Sequence, residues 1–255
     1  MCRLRRGLLL VTTTILSACG DVSEGERVLS DMATEDGAVP ASSPTAVSEG
    51  LTPTTAVSEG LTPTTTASEG FTGEIYLVDE RVLGTSWQAD CPVPTEDLRL
   101  LTVTHHDLVG DRQVGEIVVH ADHAEALLTV FEALYGAGFP IERMDPITAF
   151  DGDDGASMRA NNTSGFNCRV IDGTNRWSQH AYGTAVDINP LINPWVRGST
   201  VDPPEGAVYL DREADTPGLI HADDMAVRAF EAIGWSWGGY WNDSIDYQHF
   251  SANGT

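Results

Sequence analysis

The pattern of apolar and polar positions after residue 73 predicts short strands mixed with helices. Residues 98–104 (LRLLTVT) and 115–120 (GEIVVH) are short and rich in β-branched residues, which favour extended backbone. Residues 141–147 form a third candidate strand. The segments 151–155 and 198–215 are rich in turn-forming residues and are predicted to be loops.

Two segments show the spacing of an amphipathic helix. In the first, apolar residues recur every three to four positions between Ala124 and Tyr135, and Gly136 is placed to end the helix. The second runs from Asp223 or Asp224 to Ile233 and ends at Gly234. Because these elements lack a βαβ rhythm, the sequence predicts an α+β domain over residues 73–255.

Composition narrows the classes of partner. The 255 residues carry a formal net charge of −24, and all 14 basic residues are arginine. Nucleic-acid binding needs a basic surface, so the charge argues against nucleic acid as a partner. The acidity itself indicates only a well-solvated surface.

The N-terminal part has the features of an exported protein. Residues 1–18 combine an arginine-rich start with a short apolar run, which is typical of a secretory signal and too short to span a membrane. The run ends in Leu-Ser-Ala-Cys, which resembles the lipobox of bacterial lipoproteins and predicts that Cys19 carries a lipid. An ordinary cleaved signal that contains a cysteine is the alternative. Residues 19–72 contain a repeated ten-residue unit (AVSEGLTPTT) and are predicted to be a flexible linker.

Four cysteines are present, and two are accounted for by the signal and the lipid. Cys2 leaves with the signal peptide, and Cys19 is assigned to the anchor. In an exported protein the remaining pair, Cys91 and Cys168, is a candidate disulfide.

Two histidines and a few carboxylates in the last third of the chain suggest a metal site. His180 and Asp187 stand seven residues apart, and Asp246 precedes His249 by three. Catalytic zinc takes three ligands from His and Asp or Glu, so His180, Asp187 and His249 would suffice. Asp246 would then serve as general base, and Arg169 could stabilise charge on a carbonyl oxygen. Spacing alone leaves open that these histidines are structural.

Three ordered motifs strengthen this interpretation. They are Ser-x-His-x-x-Gly-x-Ala-x-Asp at 178–187, Asp-x-x-His at 246–249 after a Trp-Gly-Gly stretch, and Phe-Asn-Cys-Arg at 166–169. Together they resemble the VanY-type D-alanyl-D-alanine carboxypeptidase family of zinc metallopeptidases. The resemblance extends from about Cys91 to Phe250.

The resemblance implies a fold and a set of residue roles. The fold would be a small antiparallel sheet flanked by helices, of the hedgehog/DD-peptidase type. His180, Asp187 and His249 match the zinc ligands and Asp246 the catalytic acid/base. Arg169 matches the arginine that stabilises the transition state, and Ser178 matches a serine near the substrate.

The implied function is hydrolysis of peptidoglycan stem peptides outside the cell membrane, where the lipid on Cys19 would hold the protein. A D,D-carboxypeptidase is favoured because the predicted tether suits the trimming of stem peptides, and Arg176 or Arg197 could hold a terminal carboxylate. The alternatives are an L-alanyl-D-glutamate endopeptidase and a zinc-bearing cell-wall binding module without catalysis.

The remaining histidines are given no catalytic role. His120 and His123 are predicted to be solvated or to cap a helix. His105, His106 and His221 are predicted to lie on the surface.

Overall fold

The structure is a computed structural model that describes residues 70–255. The predicted signal peptide, Cys19 and nearly all of the predicted linker lie outside the described residues. No helix within 70–255 is both long enough and apolar enough to cross a bilayer.

The described chain contains eleven short strands and four helices. The strands are β1 (Gly73–Leu77), β2 (Leu98–His106), β3 (Arg112–His120), β4 (Arg143–Met144), β5 (Asn162–Thr163), β6 (Ala185–Asp187), β7 (Trp195–Arg197), β8 (Thr200–Asp202), β9 (Ser236–Trp237), β10 (Ile245–Asp246) and β11 (His249–Ser251). The helices are α1 (Glu80–Leu83), α2 (Ala124–Gly136), α3 (Asp154–Arg159) and α4 (Met225–Ala232), with several 3₁₀ turns between them.

The strands form three antiparallel three-stranded sheets and one parallel pair. The sheet orders are β1-β2-β3, β6-β11-β9 and β10-β7-β8, and β4 pairs with β5. The α+β class predicted from the sequence is confirmed at this level. The expected single sheet is instead divided, because most strands are only two or three residues long.

One hydrophobic core connects the first sheet, the two long helices and the sheet β6-β11-β9. Helix α2 buries the apolar stripe that its sequence predicts, including Leu127, Phe131 and Leu134. Helix α4 is capped by Asp224, whose carboxylate accepts a hydrogen bond from the Val227 amide at 3.1 Å. Both helices contribute to the same buried cluster as Val186 and Phe250 of the central sheet.

The packing of α4 fixes the strand β11. The rings of Phe230 and Phe250 stack with centroids 4.0 Å apart. Phe250 is fully buried and adjoins His249, and neighbouring residues of a strand point to opposite faces. Core packing therefore turns His249 away from α4.

A smaller cluster under the loop before β2 contains a disulfide. The structure joins Cys91 to Cys168, which are 77 residues apart in the chain. Cys168 packs against buried residues that include Leu98 and Phe166. The bridge thus fastens the backbone immediately before Arg169.

Three local predictions were wrong. The candidate strand 141–147 is reduced to Arg143–Met144, because Pro146 precedes a 3₁₀ turn that starts at Ile147. The segment 151–155 is not wholly a loop, since Asp153 caps α3. The segment 198–215 contains strand β8, which pairs with β7 through the two-residue turn at Gly198 and Ser199.

Candidate metal and catalytic site

His180, Asp187 and His249 meet in one buried cluster. A ligand atom from each lies within 4.8 Å of the other two, and all three side chains are buried. Strands β6 and β11 place Asp187 directly opposite His249, so both side chains project from one face of the sheet. His180 comes from a 3₁₀ turn, Gln179–Tyr182, that precedes β6.

Backbone oxygens fix the orientation of both imidazole rings. His180 donates from Nδ1 to the Gly165 oxygen at 2.6 Å, and His249 donates from Nε2 to the Thr255 oxygen at 3.3 Å. Because a carbonyl oxygen only accepts, these contacts assign the proton of each neutral ring and leave His180 Nε2 and His249 Nδ1 able to bind a cation or, when the ring is protonated, to donate to Asp187. Those two atoms face each other at 3.3 Å.

The carboxylate of Asp187 completes the cluster. Its Oδ2 lies 3.1 Å from His180 Nε2, and its Oδ1 lies 3.0 Å from His249 Nδ1. Two imidazole lone pairs and a carboxylate that converge in a buried space repel one another unless a cation lies between them. The donor set is the one that zinc prefers in catalytic sites, so the residues present fit this metal.

The charges of the cluster shift the acid–base equilibria in the expected directions. Burial alone would raise the pKa of Asp187, but the two adjacent imidazoles lower it well below its usual range. Burial would lower the pKa of His249, but the hydrogen bond and charge of Asp187 raise it. Both shifts show that the site favours negative charge on Asp187 together with positive charge beside it.

Gly183 lies in the turn between two of the candidate ligands, His180 and Asp187. Its φ is +67°, in the left-handed region that glycine adopts at little cost. A Cβ on Gly183 would lie 2.6 Å from the backbone nitrogen of His120. The turn therefore needs glycine both for its backbone angle and for its close approach to β3.

Asp246 borders the cluster from strand β10. A Cβ on Gly238 would lie 2.9 Å from the Asp246 Cβ and 3.3 Å from the His249 Cβ, so these two side chains start from neighbouring points. Burial raises the pKa of Asp246 to about 7, against the effect of the imidazoles. Its Oδ1 is buried and has no hydrogen-bond partner within residues 70–255. A carboxylate in this state suits a general base.

Arg169 is held by a partner that the sequence analysis did not identify. Its Nη2 lies 2.9 Å from Oδ2 of Asp154, at the start of α3, and Asn167 donates to Oδ1 of the same carboxylate at 3.2 Å. The Arg169 Nε is buried and lacks an acceptor among the described residues. Nothing in the sequence signals the pairing with Asp154, which is 15 residues away in a segment predicted to be a loop.

Ser178 lies directly opposite Arg169 in a short antiparallel contact. The Ser178 amide donates to the Arg169 oxygen at 3.0 Å, beside the bridge between Val170 and Trp177. The Ser178 hydroxyl oxygen accepts from the His180 amide at 3.3 Å. Ser178 thus caps the turn that carries His180, a structural role beside the substrate-binding role predicted for it.

One of the histidines predicted to be exposed is buried. His105 is only 4% exposed and donates from Nδ1 to the Ile141 oxygen at 2.9 Å. The prediction failed because β2 extends two residues beyond the segment that its composition marks. Burial lowers the pKa of His105, which favours its neutral form.

Comparison with known proteins matches one family model to the segment that carries the candidate metal ligands. A family model described as D-alanyl-D-alanine carboxypeptidase matches residues 172–252. That segment contains His180, Asp187, Asp246 and His249, whereas Arg169 lies just before it. No curated protein and no solved structure matches the chain. The resemblance inferred from the motifs is confirmed over residues 172–252, and it supports a peptidase.

Proposed function

We propose that the protein is a zinc-dependent peptidase that hydrolyses peptidoglycan stem peptides and acts as a D-alanyl-D-alanine carboxypeptidase. The observation that carries the proposal is the convergence of His180, Asp187 and His249 within the segment that the family model matches. The proposal includes the hedgehog/DD-peptidase fold, with which the small antiparallel sheets and adjoining helices are compatible.

The three candidate ligands would hold the metal through His180 Nε2, His249 Nδ1 and the Asp187 carboxylate. Zinc bound there supplies Lewis-acid chemistry, which polarises a carbonyl and makes a water molecule more acidic. The carbonyl acceptors behind both rings keep the imidazoles oriented toward the metal, as outer partners of metal ligands commonly do.

Asp246 and Arg169 supply the remaining chemistry. The unpartnered Oδ1 of Asp246 accepts the proton of the attacking water and returns it to the leaving amine. Arg169 donates a hydrogen bond to the oxygen that becomes negative in the transition state, and Asp154 holds its guanidinium in position.

The carboxypeptidase assignment requires a cation for the free carboxylate of the substrate. Arg197 and Arg176 are both exposed, and either could serve. Arg197 is favoured over Arg176 because it lies two residues from Trp195 on the same strand. Trp195 pairs with Asp246, and both side chains project from the same face of the sheet. An endopeptidase that cuts between L-alanine and D-glutamate could use the same cation for the free α-carboxylate of D-glutamate, so the peptides that are cleaved must distinguish the two activities.

Two pentapeptides distinguish these activities. One ends in D-Ala-D-Ala as the free acid, and the other is its C-terminal amide. The expected result is release of D-alanine from the free acid, with slower cleavage of the amide. Equal cleavage of both, or scission only between L-alanine and D-glutamate, contradicts the carboxypeptidase assignment.

The metal is tested separately by its stoichiometry. The protein is expected to bind about one zinc per chain, in keeping with a single three-ligand site. His180→Ala should lose both zinc and activity. Full zinc occupancy in that variant would remove His180 from the ligand set.

We also propose that Cys19 anchors the protein to the outer face of a bacterial cell membrane. The Leu-Ser-Ala-Cys motif supports this location. Cys19→Ser should move the protein from the membrane fraction to the soluble fraction, and incorporation of labelled lipid into that variant would contradict the anchor.

A further inference from the structure

A row of three side chains crosses the sheet β10-β7-β8 and begins at the proposed general base. Asp246 pairs with Trp195, and Trp195 pairs with Asp202. Residues directly opposite each other in antiparallel strands project from the same face. Asp246, Trp195 and Asp202 therefore stand side by side, with Trp195 in the middle.

The neighbouring row has the opposite character. Ile245, Val196 and Val201 pair with one another and project from the other face. Apolar residues therefore occupy one face of this small sheet. The opposite face carries Asp246, which borders the metal cluster.

Trp195 has aromatic surface and a polar group that the fold does not use. Its side chain is half-buried, and its indole N–H is not among those that donate a hydrogen bond within residues 70–255. Trp87, Trp237 and Trp241 each donate to a backbone oxygen, whereas the indole nitrogen of Trp235 is buried without a partner in the described part of the chain. Half-exposed tryptophan beside a catalytic group is suited to packing against a substrate.

Asp202 carries an unbalanced negative charge at the far end of the row. None of the ion pairs formed among residues 70–255 includes Asp202. Burial and the charges of Asp154 and Asp172 raise its pKa, while Arg169 and Arg159 lower it. The net upward direction means that a further positive charge at Asp202 would be favourable.

The spacing of the row limits which part of a substrate can reach Asp202. Adjacent strands lie about 4.8 Å apart, so Asp202 stands on the order of 10 Å from Asp246. A D,D-carboxypeptidase releases a single alanine, which is too short to extend that far. Only the acyl side of the substrate spans the distance, and there a diamino acid precedes the D-alanine at the cut bond.

We propose that Trp195 and Asp202 form the subsite for the diamino acid on the acyl side of the cut bond. The Trp195 ring packs against the aliphatic part of that side chain, and the Asp202 carboxylate binds its terminal ammonium group. The inference rests on the proposed carboxypeptidase function. It implies a preference for stem peptides whose side-chain amine is free over those in which it is acylated.

The test compares two lysine-containing pentapeptides that end in D-Ala-D-Ala, one with a free lysine amine and one with that amine acetylated. Binding is measured by calorimetry on the zinc-loaded full chain carrying Asp246→Asn, which slows turnover by about a hundredfold or more. The free amine is expected to bind about five- to tenfold more tightly, the range of a partly exposed charge-assisted contact. Adding Asp202→Asn should reduce the ratio of the two dissociation constants to about one, because the lysine ammonium group then has no carboxylate to bind.

Two further variants separate the subsite from a general charge effect. Asp111→Asn removes one carboxylate from the exposed β2–β3 turn and should keep the full preference for the free amine. Trp195→Ala should weaken both peptides equally. An unchanged preference in Asp202→Asn, or its loss in Asp111→Asn, would overturn the proposal.

Turnover by the unsubstituted chain distinguishes failure of the subsite from failure of the proposed function. D-alanine release from both peptides with no preference in binding would refute the subsite alone. An Asp202-dependent preference in binding without any D-alanine release would refute the carboxypeptidase and leave the subsite standing.

Discussion

Gly183→Ala tests whether the approach of the His180 turn to β3 maintains the metal cluster. The change adds one methyl group between two candidate ligands, His180 and Asp187, and alters neither of them. The new Cβ would lie 2.6 Å from the His120 nitrogen and 3.1 Å from the Val119 carbonyl carbon. Both are backbone atoms at the end of β3, so they cannot rotate away as a flexible side chain would.

The expected cost has two parts. An alanine at φ +67° costs about 1–2 kcal/mol relative to glycine because its Cβ approaches the following carbonyl. Relief of the backbone clash adds about 1–3 kcal/mol, the usual cost of overpacking. If the turn moves away, it also strains the hydrogen bond from the His120 amide to the Gly183 oxygen, which is now 2.8 Å long. We therefore expect the free energy of unfolding to fall by about 2–5 kcal/mol.

Gly138→Ala provides a matched control. Gly138 has φ +68°, nearly identical to that of Gly183, but a Cβ there would meet no atom within 4 Å. This variant should lose only the backbone contribution, about 1–2 kcal/mol. The difference between the two variants in urea denaturation isolates the clash with β3.

Zinc content gives a second measurement on the same proteins. Movement of the turn separates His180 from Asp187, so Gly183→Ala should bind zinc more weakly while Gly138→Ala should not. The reasoning is refuted if the two variants unfold within about 0.5 kcal/mol of each other, which is the normal scatter for independent sites.

Three further substitutions test individual contacts. Asp246→Asn should retain zinc and lower kcat by about a hundredfold or more, the usual effect of removing a general base, and loss of the metal would instead make Asp246 a ligand. Cys91→Ser combined with Cys168→Ser should lower the free energy of unfolding by about 4 kcal/mol, because the bridge closes a loop of 77 residues, and a loss below about 1 kcal/mol in urea denaturation would contradict this. Asp154→Asn should lower kcat/KM about tenfold but have little effect once Arg169 is alanine, and additive losses in the double variant would show that Asp154 does not act through Arg169.

The sequence predicted best those features that are local in the chain. Helix α2 begins at Ala124 and ends at Gly136, as the apolar spacing and the terminal glycine indicated. The cluster of His180, Asp187 and His249 was also foreseen, but from a family pattern. Spacing alone could not have shown that residues 62 positions apart, Asp187 and His249, lie in hydrogen-bond contact.

The features that were missed depend on pairing between short segments. Strand β8 has three residues, too few for alternation to be visible, and its pairing with β7 follows from the turn at Gly198. Nothing in the sequence therefore indicated that Trp195 pairs with Asp246 and lies in the proposed subsite. Asp154 was likewise placed in a loop, and only the folded chain brings its carboxylate to Arg169.

Two unpartnered atoms bear on the alternative of a zinc-bearing binding module. The Asp246 Oδ1 and the Arg169 Nε are both buried without hydrogen-bond partners among the described residues. Four other buried side-chain atoms of residues 70–255 also lack partners, so it is the chemistry of these two atoms that distinguishes them. One is an acceptor and the other a donor, which are the two groups that proton transfer and stabilisation of a carbonyl oxygen require. The presence of both a buried acceptor and a buried donor therefore favours a peptidase over a binding module.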